Sequence, residues 1–151
     1  MADHFLIWKR DAAQDALDHW SKREFKLGTA DCAQMTARHL RQLGYSVKMP
    51  PSGSYRTAQG AVRAMHRLGH ESLTVWLDSL GLERITPASA VAGDILQLPA
   101  EHPLGALAVA LGNGAALAWV EGLPSGATTI RPLAFSTAWR VRPIEQAVGA
   151  S

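Results

Sequence analysis

The only cysteine of the chain, Cys32, lies in the segment LGTADCAQMT, at the predicted start of a helix. The unpaired backbone N–H groups and the helix dipole at such a position favour an anion. Because the thiolate is the reactive form of cysteine, we expect the helix to lower the pKa of Cys32 and prepare it as a nucleophile. The alternative is a buried cysteine that acts as a small apolar residue. A single cysteine excludes an internal disulfide and a metal site built from cysteines alone.

A cysteine nucleophile needs a base, usually a histidine, within ~3 Å. His39 follows Cys32 by seven residues on the same predicted helix, ~10 Å along its axis, and is too far away to serve. It is expected to be a core or partly buried residue. His102 is the only histidine in the strand-rich half and lies in a loop flanked by prolines, so it is the candidate base. An exposed loop residue is the alternative for His102. The other histidines lie in the leading segment or in helical segments, the latter at the surface or as caps: His4, His19, His66 and His70.

Neither a metal nor a cofactor is predicted. His66 and His70 have the four-residue spacing of metal ligands on a helix, but Gly69 lies between them and no acidic ligand accompanies them. The glycines form neither a dinucleotide-binding fingerprint nor a phosphate-binding loop.

Length and composition predict one globular domain over residues 1–151. The 15 basic and 13 acidic residues are spread along the chain and leave a formal charge of +2, which gives no broad field for nucleic acid or an anionic membrane. The start, MADHFLIWKR, lacks the features of a secretory signal. The longest apolar segment, residues 104–120, is shorter than the ~20 residues of a spanning helix. The Asn113-Gly114 pair inside it predicts a hairpin between two strands.

Helical periodicity predicts four helices in the first half, the first with an apolar stripe and with Lys9, Arg10, Asp15 and Asp18 mostly on other faces. The residues of that stripe are Trp8, Ala12, Ala13, Ala16 and Trp20. The other helices are predicted over about 31–43, 57–68 and 70–80, and each ends at a glycine. Thr29 or Asp31 is expected to cap the second helix. The third is expected to face inward with Ala61, Val62, Met65 and Leu68.

The second half changes to short segments typical of strands, separated by Gly, Pro or Asn. These segments are GDILQLP, LGALAVAL, AALAWV, ATTIRPL and AWRVRP. Helices followed by antiparallel strands indicate an α+β domain. Residues 145–151 are expected to form a loose tail or an interaction arm.

Three motifs occur in a recognisable order. A helix opens with Asp31-Cys32-Ala33, a strand begins with Gly93-Asp94-Ile95, and an apolar strand ends with residues 111–114, LGNG. This order resembles that of the NlpC-type peptidoglycan peptidases, a papain-like α+β family with an Asp-Cys-Ser or Asp-Cys-Ala nucleophile motif. The resemblance implies N-terminal helices packed on a C-terminal antiparallel sheet, with Cys32 in the nucleophile position.

The chain is more closely similar to a family of small phage tail proteins of uncharacterised function, encoded among tail-tip genes. The similarity covers nearly the whole chain and rests on the shared order of its motifs. The matching residues are Trp20, Phe25, Gly28, Asp31, Cys32, Ala33, Tyr55, Gly60, Ala61, the Gly93-Asp94 pair and residues 138–141. The similarity implies a virion protein of the tail tip or baseplate, made in the bacterial cytoplasm, that contacts hub and distal tail proteins. Neither nucleic acid nor membrane insertion is expected.

The departure from the peptidase pattern is informative. Aligning LGNG with that pattern puts Ala106 where the catalytic histidine stands, and Leu117, Ala118 and Trp119 where a polar group orients it. An alanine cannot transfer a proton, and losing such a base typically removes ~100- to 10,000-fold of rate. The leading hypothesis is therefore a degenerate peptidase fold that serves as a structural part of a phage tail tip or of a related particle.

An active enzyme is the alternative. It would be a cysteine peptidase or amidase acting on peptidoglycan, with Cys32 as nucleophile and backbone N–H groups near the helix start as the oxyanion hole. His102 would be the base, although it lies ~13 Å before position 106 along an extended strand and would have to fold back. A third hypothesis is a protein that binds cell-wall fragments in the cleft of the former active site beside Cys32.

Overall fold

The computed structural model describes residues 2–99, 104–120, 126–131 and 137–144. Four helices come first: α1 (Ala2–Trp20), α2 (Cys32–Gln42), α3 (Ala58–Arg67) and α4 (Leu73–Ser79). Six strands follow: β1 (Glu83–Ile85), β2 (Ile95–Leu98), β3 (Ala106–Gly112), β4 (Ala115–Ala118), β5 (Thr128–Ile130) and β6 (Thr137–Arg140). The fold class is α+β, as predicted.

All strand pairs are antiparallel, in the order β1-β6-β2-β3-β4-β5. Strands β3 and β4 form the predicted hairpin, with φ of 54° at Asn113 and 77° at Gly114. Asn and Gly tolerate this left-handed region better than other residues, which is why the dipeptide marks the turn. The apolar segment 104–120 is therefore a strand pair. Within the described ranges, no helix is long and apolar enough to cross a membrane.

Three helices begin at side-chain caps. Asp31, Thr57 and Ser72 have extended backbones and accept hydrogen bonds from the N–H groups three residues on. Of the two candidates for the cap of α2, Asp31 is the one used. Gly44 follows the end of α2 with φ of 95°, a conformation that glycine adopts without strain.

The helices cover one face of the sheet, and α1 and α2 both pack against β3. The prediction for α1 was wrong in one turn, because Lys9 is 1% exposed while Trp8 is 46% exposed. The reason is a buried carboxylate, Asp94, which pairs with the ammonium group of Lys9. An ion pair of this kind overrides the usual exposure of lysine.

Two smaller differences concern the ends of elements. Leu68 was expected to face inward, but it is the C-cap residue of α3 and is 38% exposed. Beyond the last turn, the helical periodicity no longer decides which way a side chain points. Strand β1, which pairs with β6 at the edge of the sheet, was not predicted.

Candidate functional site

Asp31 organises the loop that leads into α2. Its Oδ1 accepts from the N–H of Gln34 at 2.8 Å, and its Oδ2 accepts from the N–H of Gly28 and the hydroxyl of Tyr55, each also at 2.8 Å. Asp31 is 3% exposed, so these three bonds replace the water that its carboxylate would otherwise hold. The aspartate of the Asp-Cys motif thus caps α2 and binds the hydroxyl of Tyr55.

Gly28 lets the segment around Tyr55 approach the loop closely. Its φ is 95°, and a Cβ on it would lie 2.0 Å from the carbonyl oxygen of Tyr55. Only glycine fits this conformation and this contact. The Gly, Asp, Cys and Tyr positions that the sequence motif shares therefore form one packed unit at the start of α2.

An apolar cavity of about 190 Å³ lies beside Cys32. Phe25, Tyr55, Leu73 and Ala106 are among its lining residues. Ala106, the position aligned with the catalytic histidine of the peptidase pattern, therefore shares a cavity with Cys32. The described residues that line the cavity include no histidine.

The thiol of Cys32 is not prepared for ionisation. The residue as a whole is half-buried, but loss of water around its sulfur raises the pKa to about 11, and the neighbouring Asp31 carboxylate adds to the effect. Hydrogen bonding from the backbone of Leu107, of Cys32 itself and of Ala33 lowers the pKa only in part. The expectation of a lowered pKa was wrong, because the apolar walls of the cavity outweigh the helix terminus.

His39 is buried about two turns further along α2 than Cys32 and binds the turn before β2. Its Nε2 donates a 2.8 Å hydrogen bond to the carbonyl oxygen of Gly93, and the residue is 0% exposed. Burial is the main cause of its lowered pKa, so the ring is neutral. This confirms the prediction that His39 is a core residue. His102, the candidate base, lies outside the described residues, as does the tail 145–151.

A buried polar cluster centred on Asp94 lies next to His39. Asp94 pairs with Lys9 and with Arg140, at 3.1 Å for the latter, and its carboxylate accepts from the N–H groups of Val91 and Val141. Burial is the main cause of the lowered pKa of Lys9, and the Asp94 charge opposes it. The Gly-Asp motif therefore ties α1 to β6. The Gly93-Asp94 motif marks this position in the sequence, but no local pattern indicates that Lys9 is the partner of Asp94.

Gly93 is needed for the same junction. It has φ of 94°, and a Cβ there would lie 2.8 Å from both Cβ and the carbonyl oxygen of Lys9. Gly93 thus lets the backbone approach α1 closely, and Asp94 places its carboxylate against the same turn of that helix. These two contacts explain why Gly93 and Asp94 directly precede β2.

Trp119 supports the loop before α2. Its indole N–H donates to the carbonyl oxygen of Arg23 at 2.8 Å, and its ring meets the rings of Trp20 and Phe25 edge-on at 5.5 and 6.1 Å. In the peptidase pattern this part of the chain holds the group that orients the histidine. Here the polar atom of Trp119 is used to fix the loop.

The chemistry available at this site is limited. The described residues around Cys32 offer a protonated thiol, an apolar cavity and a carboxylate already committed to three donors. The same ranges contain no group of three or more His, Cys, Asp or Glu residues placed to hold a metal ion. The arrangement suits packing or the binding of a small apolar group.

In a comparison with known families, residues 6–141 match the family described as "Domain of unknown function (DUF6950)". No curated protein matches the chain.

Proposed function

The chain belongs to this family, whose description assigns no activity, so we propose a function from the residues of the chain itself. We propose that the protein is a non-catalytic structural component of the tail tip of a phage or phage-like particle. We further propose that its α+β fold is a papain-like, NlpC-type fold that has lost its base. The observation that carries the proposal is Ala106, which lines the same cavity as Cys32. A methyl group there can neither accept the thiol proton nor return it to a leaving amine.

The surroundings of the thiol also support a non-catalytic role. Thiolate attack on an amide needs an ionised sulfur or an adjacent base. Burial and the Asp31 carboxylate both hold the proton on Cys32. The residues of the motif other than cysteine are accounted for by packing, since Asp31 caps α2 and Gly28 admits Tyr55. The assignment to a tail tip rests on the order of the motifs along the sequence.

Digestion of purified peptidoglycan tests the absence of catalysis. We expect the wild-type protein, Cys32→Ala and His102→Ala to release no muropeptides above buffer. An active relative with an intact cysteine–histidine dyad serves as positive control. Release by the wild type that disappears in both variants would establish the enzyme and refute the proposal.

Complementation tests the structural role separately. In a host that carries the gene within a phage or prophage, deletion is expected to give particles with incomplete tail tips, and Cys32→Ala is expected to restore them. Antibody labelling of purified particles should place the protein at the tip. Normal particles after deletion, or failure of a folded Cys32→Ala protein to restore them, would contradict the proposal.

A further inference from the structure

A concave surface lined by arginines runs along α3 and shares Tyr55 with the cysteine cavity. We call it the α3 groove; its volume is about 620 Å³. Arg56, Arg63 and Arg67 line it, together with Pro51 and Leu68. We propose that the α3 groove binds a short, carboxylate-rich and partly apolar segment of a partner protein. This inference goes beyond the tail-tip proposal and does not depend on it.

The distribution of charge along the chain singles out this region. Residues 32–70 contain six of the 15 Lys and Arg residues and none of the 13 Asp and Glu residues. The rest of the chain is therefore net acidic, although the whole chain is close to neutral. A local excess of one sign on a nearly neutral protein favours a partner of the opposite sign at that place.

The arginines of the α3 groove are free to bind. All three are exposed, and none of them takes part in an ion pair or hydrogen bond with the described part of the chain. By contrast, Arg38 of the same acid-free region pairs with Asp15, and Arg41 donates to the carbonyl oxygen of Val47. Among the arginines of the acid-free region, those without such a partner in the described part of the chain are therefore the three in the groove.

The spacing of the arginines works against the helix that carries them. Arg63 and Arg67 are four residues apart, so their side chains neighbour each other on one face of α3. Like charges at this spacing destabilise a helix. A carboxylate bound between Arg63 and Arg67 would reduce this repulsion. Each planar guanidinium group can donate two hydrogen bonds to a carboxylate.

The shape of the groove favours a peptide over nucleic acid. Helix α3 has 10 residues and is therefore ~15 Å long, which matches about five residues of an extended peptide. Leu68 and Pro51 offer exposed apolar surface for the side chains between the carboxylates. Single-stranded nucleic acid instead needs aromatic platforms for its bases. Among the described residues that line the groove, Tyr55 is the only aromatic one; it is 7% exposed, and its hydroxyl donates to Asp31.

Fluorescence anisotropy with a labelled peptide tests the proposal. The probe is a fluorescein-labelled peptide of about ten residues in which Glu alternates with Leu, matched to the groove length with a margin at each end. We expect saturable binding to the wild-type protein that weakens as salt is added. A double variant, Arg63→Gln with Arg67→Gln, is expected to bind roughly 10-fold more weakly, since each exposed pair contributes modestly.

The matched control removes the same charge elsewhere. Arg10→Gln with Lys22→Gln changes two exposed cations outside the α3 groove, and is expected to change the affinity less than about twofold. Circular dichroism checks that both double variants keep the fold. Equal losses in the two variants, or no binding of the peptide by the wild type, would overturn the proposal. Tighter and Arg63-dependent binding of a ten-nucleotide oligo(dT) would assign the groove to nucleic acid instead.

Discussion

The protonation of Cys32 can be measured directly by its rate of alkylation. Its pKa of about 11 means that ~0.03% of the thiol is ionised at pH 7.5. An unperturbed cysteine with a pKa of ~8.5 is ~10% ionised at the same pH. Because only the thiolate reacts, we expect iodoacetamide to modify native Cys32 about 300-fold more slowly than the same residue in the denatured chain.

The assay follows carbamidomethylation of the intact protein by mass spectrometry across pH. The native protein should show a rate that still rises above pH 10, whereas the protein in guanidinium chloride should level off near pH 9. Cys32→Ser gives the background rate. His102→Ala should not change the profile of the native protein.

Placing an imidazole at position 106 is the matching gain-of-function change. In Ala106→His the new ring would share the cavity with the sulfur, and an opposite charge within ~4–6 Å lowers a pKa by ~1–3 units. The alkylation rate at pH 7.5 should then rise by ~10- to 1,000-fold. Thr129→His, at an exposed position on β5 outside the cavity lining, is the control and is expected to leave the rate unchanged.

Two results would refute this reasoning. A native midpoint below pH ~8 would mean that a cation already stabilises the thiolate, and a fall in the rate after His102→Ala would identify that cation. An unchanged profile in a folded Ala106→His protein would mean that position 106 does not face the sulfur.

Other residues of the two buried clusters provide further tests. Lys9→Met leaves the carboxylate of Asp94 with one cation fewer and should lower the free energy of unfolding in urea by ~3 kcal/mol. The control, Arg10→Met at an exposed position, should lower it by less than ~0.5 kcal/mol. Equal effects of the two substitutions would contradict the buried pair. Tyr55→Phe removes one donor from the carboxylate of Asp31 and should cost ~1–3 kcal/mol, so a loss below ~0.5 kcal/mol would count against that bond. In the folded protein the Cys32 thiol keeps its proton until the pH approaches its pKa of about 11, while the thiol of the unfolded chain has a pKa of ~8.5, so the folded state binds more protons between these values. The stability of the wild type should therefore fall by ~2 kcal/mol relative to Cys32→Ala as pH rises from 9 to 11, and parallel curves would show that burial does not hold the proton.

Local chemistry was enough to predict most of the fold. The cap at Asp31, the glycine after α2 and the Asn113-Gly114 turn each act within a few residues, so a short window contains all the information. The period of the apolar residues then separates helices from strands. Strand β1 is only three residues long and exposed over two of them, which leaves no pattern to detect.

Long-range partners explain what local patterns got wrong. A lysine on a helix is expected in water, and only the distant Asp94 makes Lys9 a core residue. The pKa of Cys32 was expected to fall because of the helix terminus, but the cavity is walled by residues from remote segments such as Leu73 and Ala106. The acid-free stretch 32–70, by contrast, is visible in the sequence, and the description of the charges as spread along the chain was too coarse to reveal it. What the sequence could not indicate is that three of its arginines share one groove.

The pairing of Lys9 with Asp94 also bears on the order of events during synthesis. The two residues are 85 positions apart, so the ribosome releases the lysine several seconds or more before its carboxylate. Docking α1 earlier would strand an ammonium group in an apolar interior. We therefore expect α1 to stay undocked while the first half of the chain emerges. The nascent chain should remain open to proteases until β2 has left the exit tunnel, and finally until the Val141 amide beyond β6 has left it.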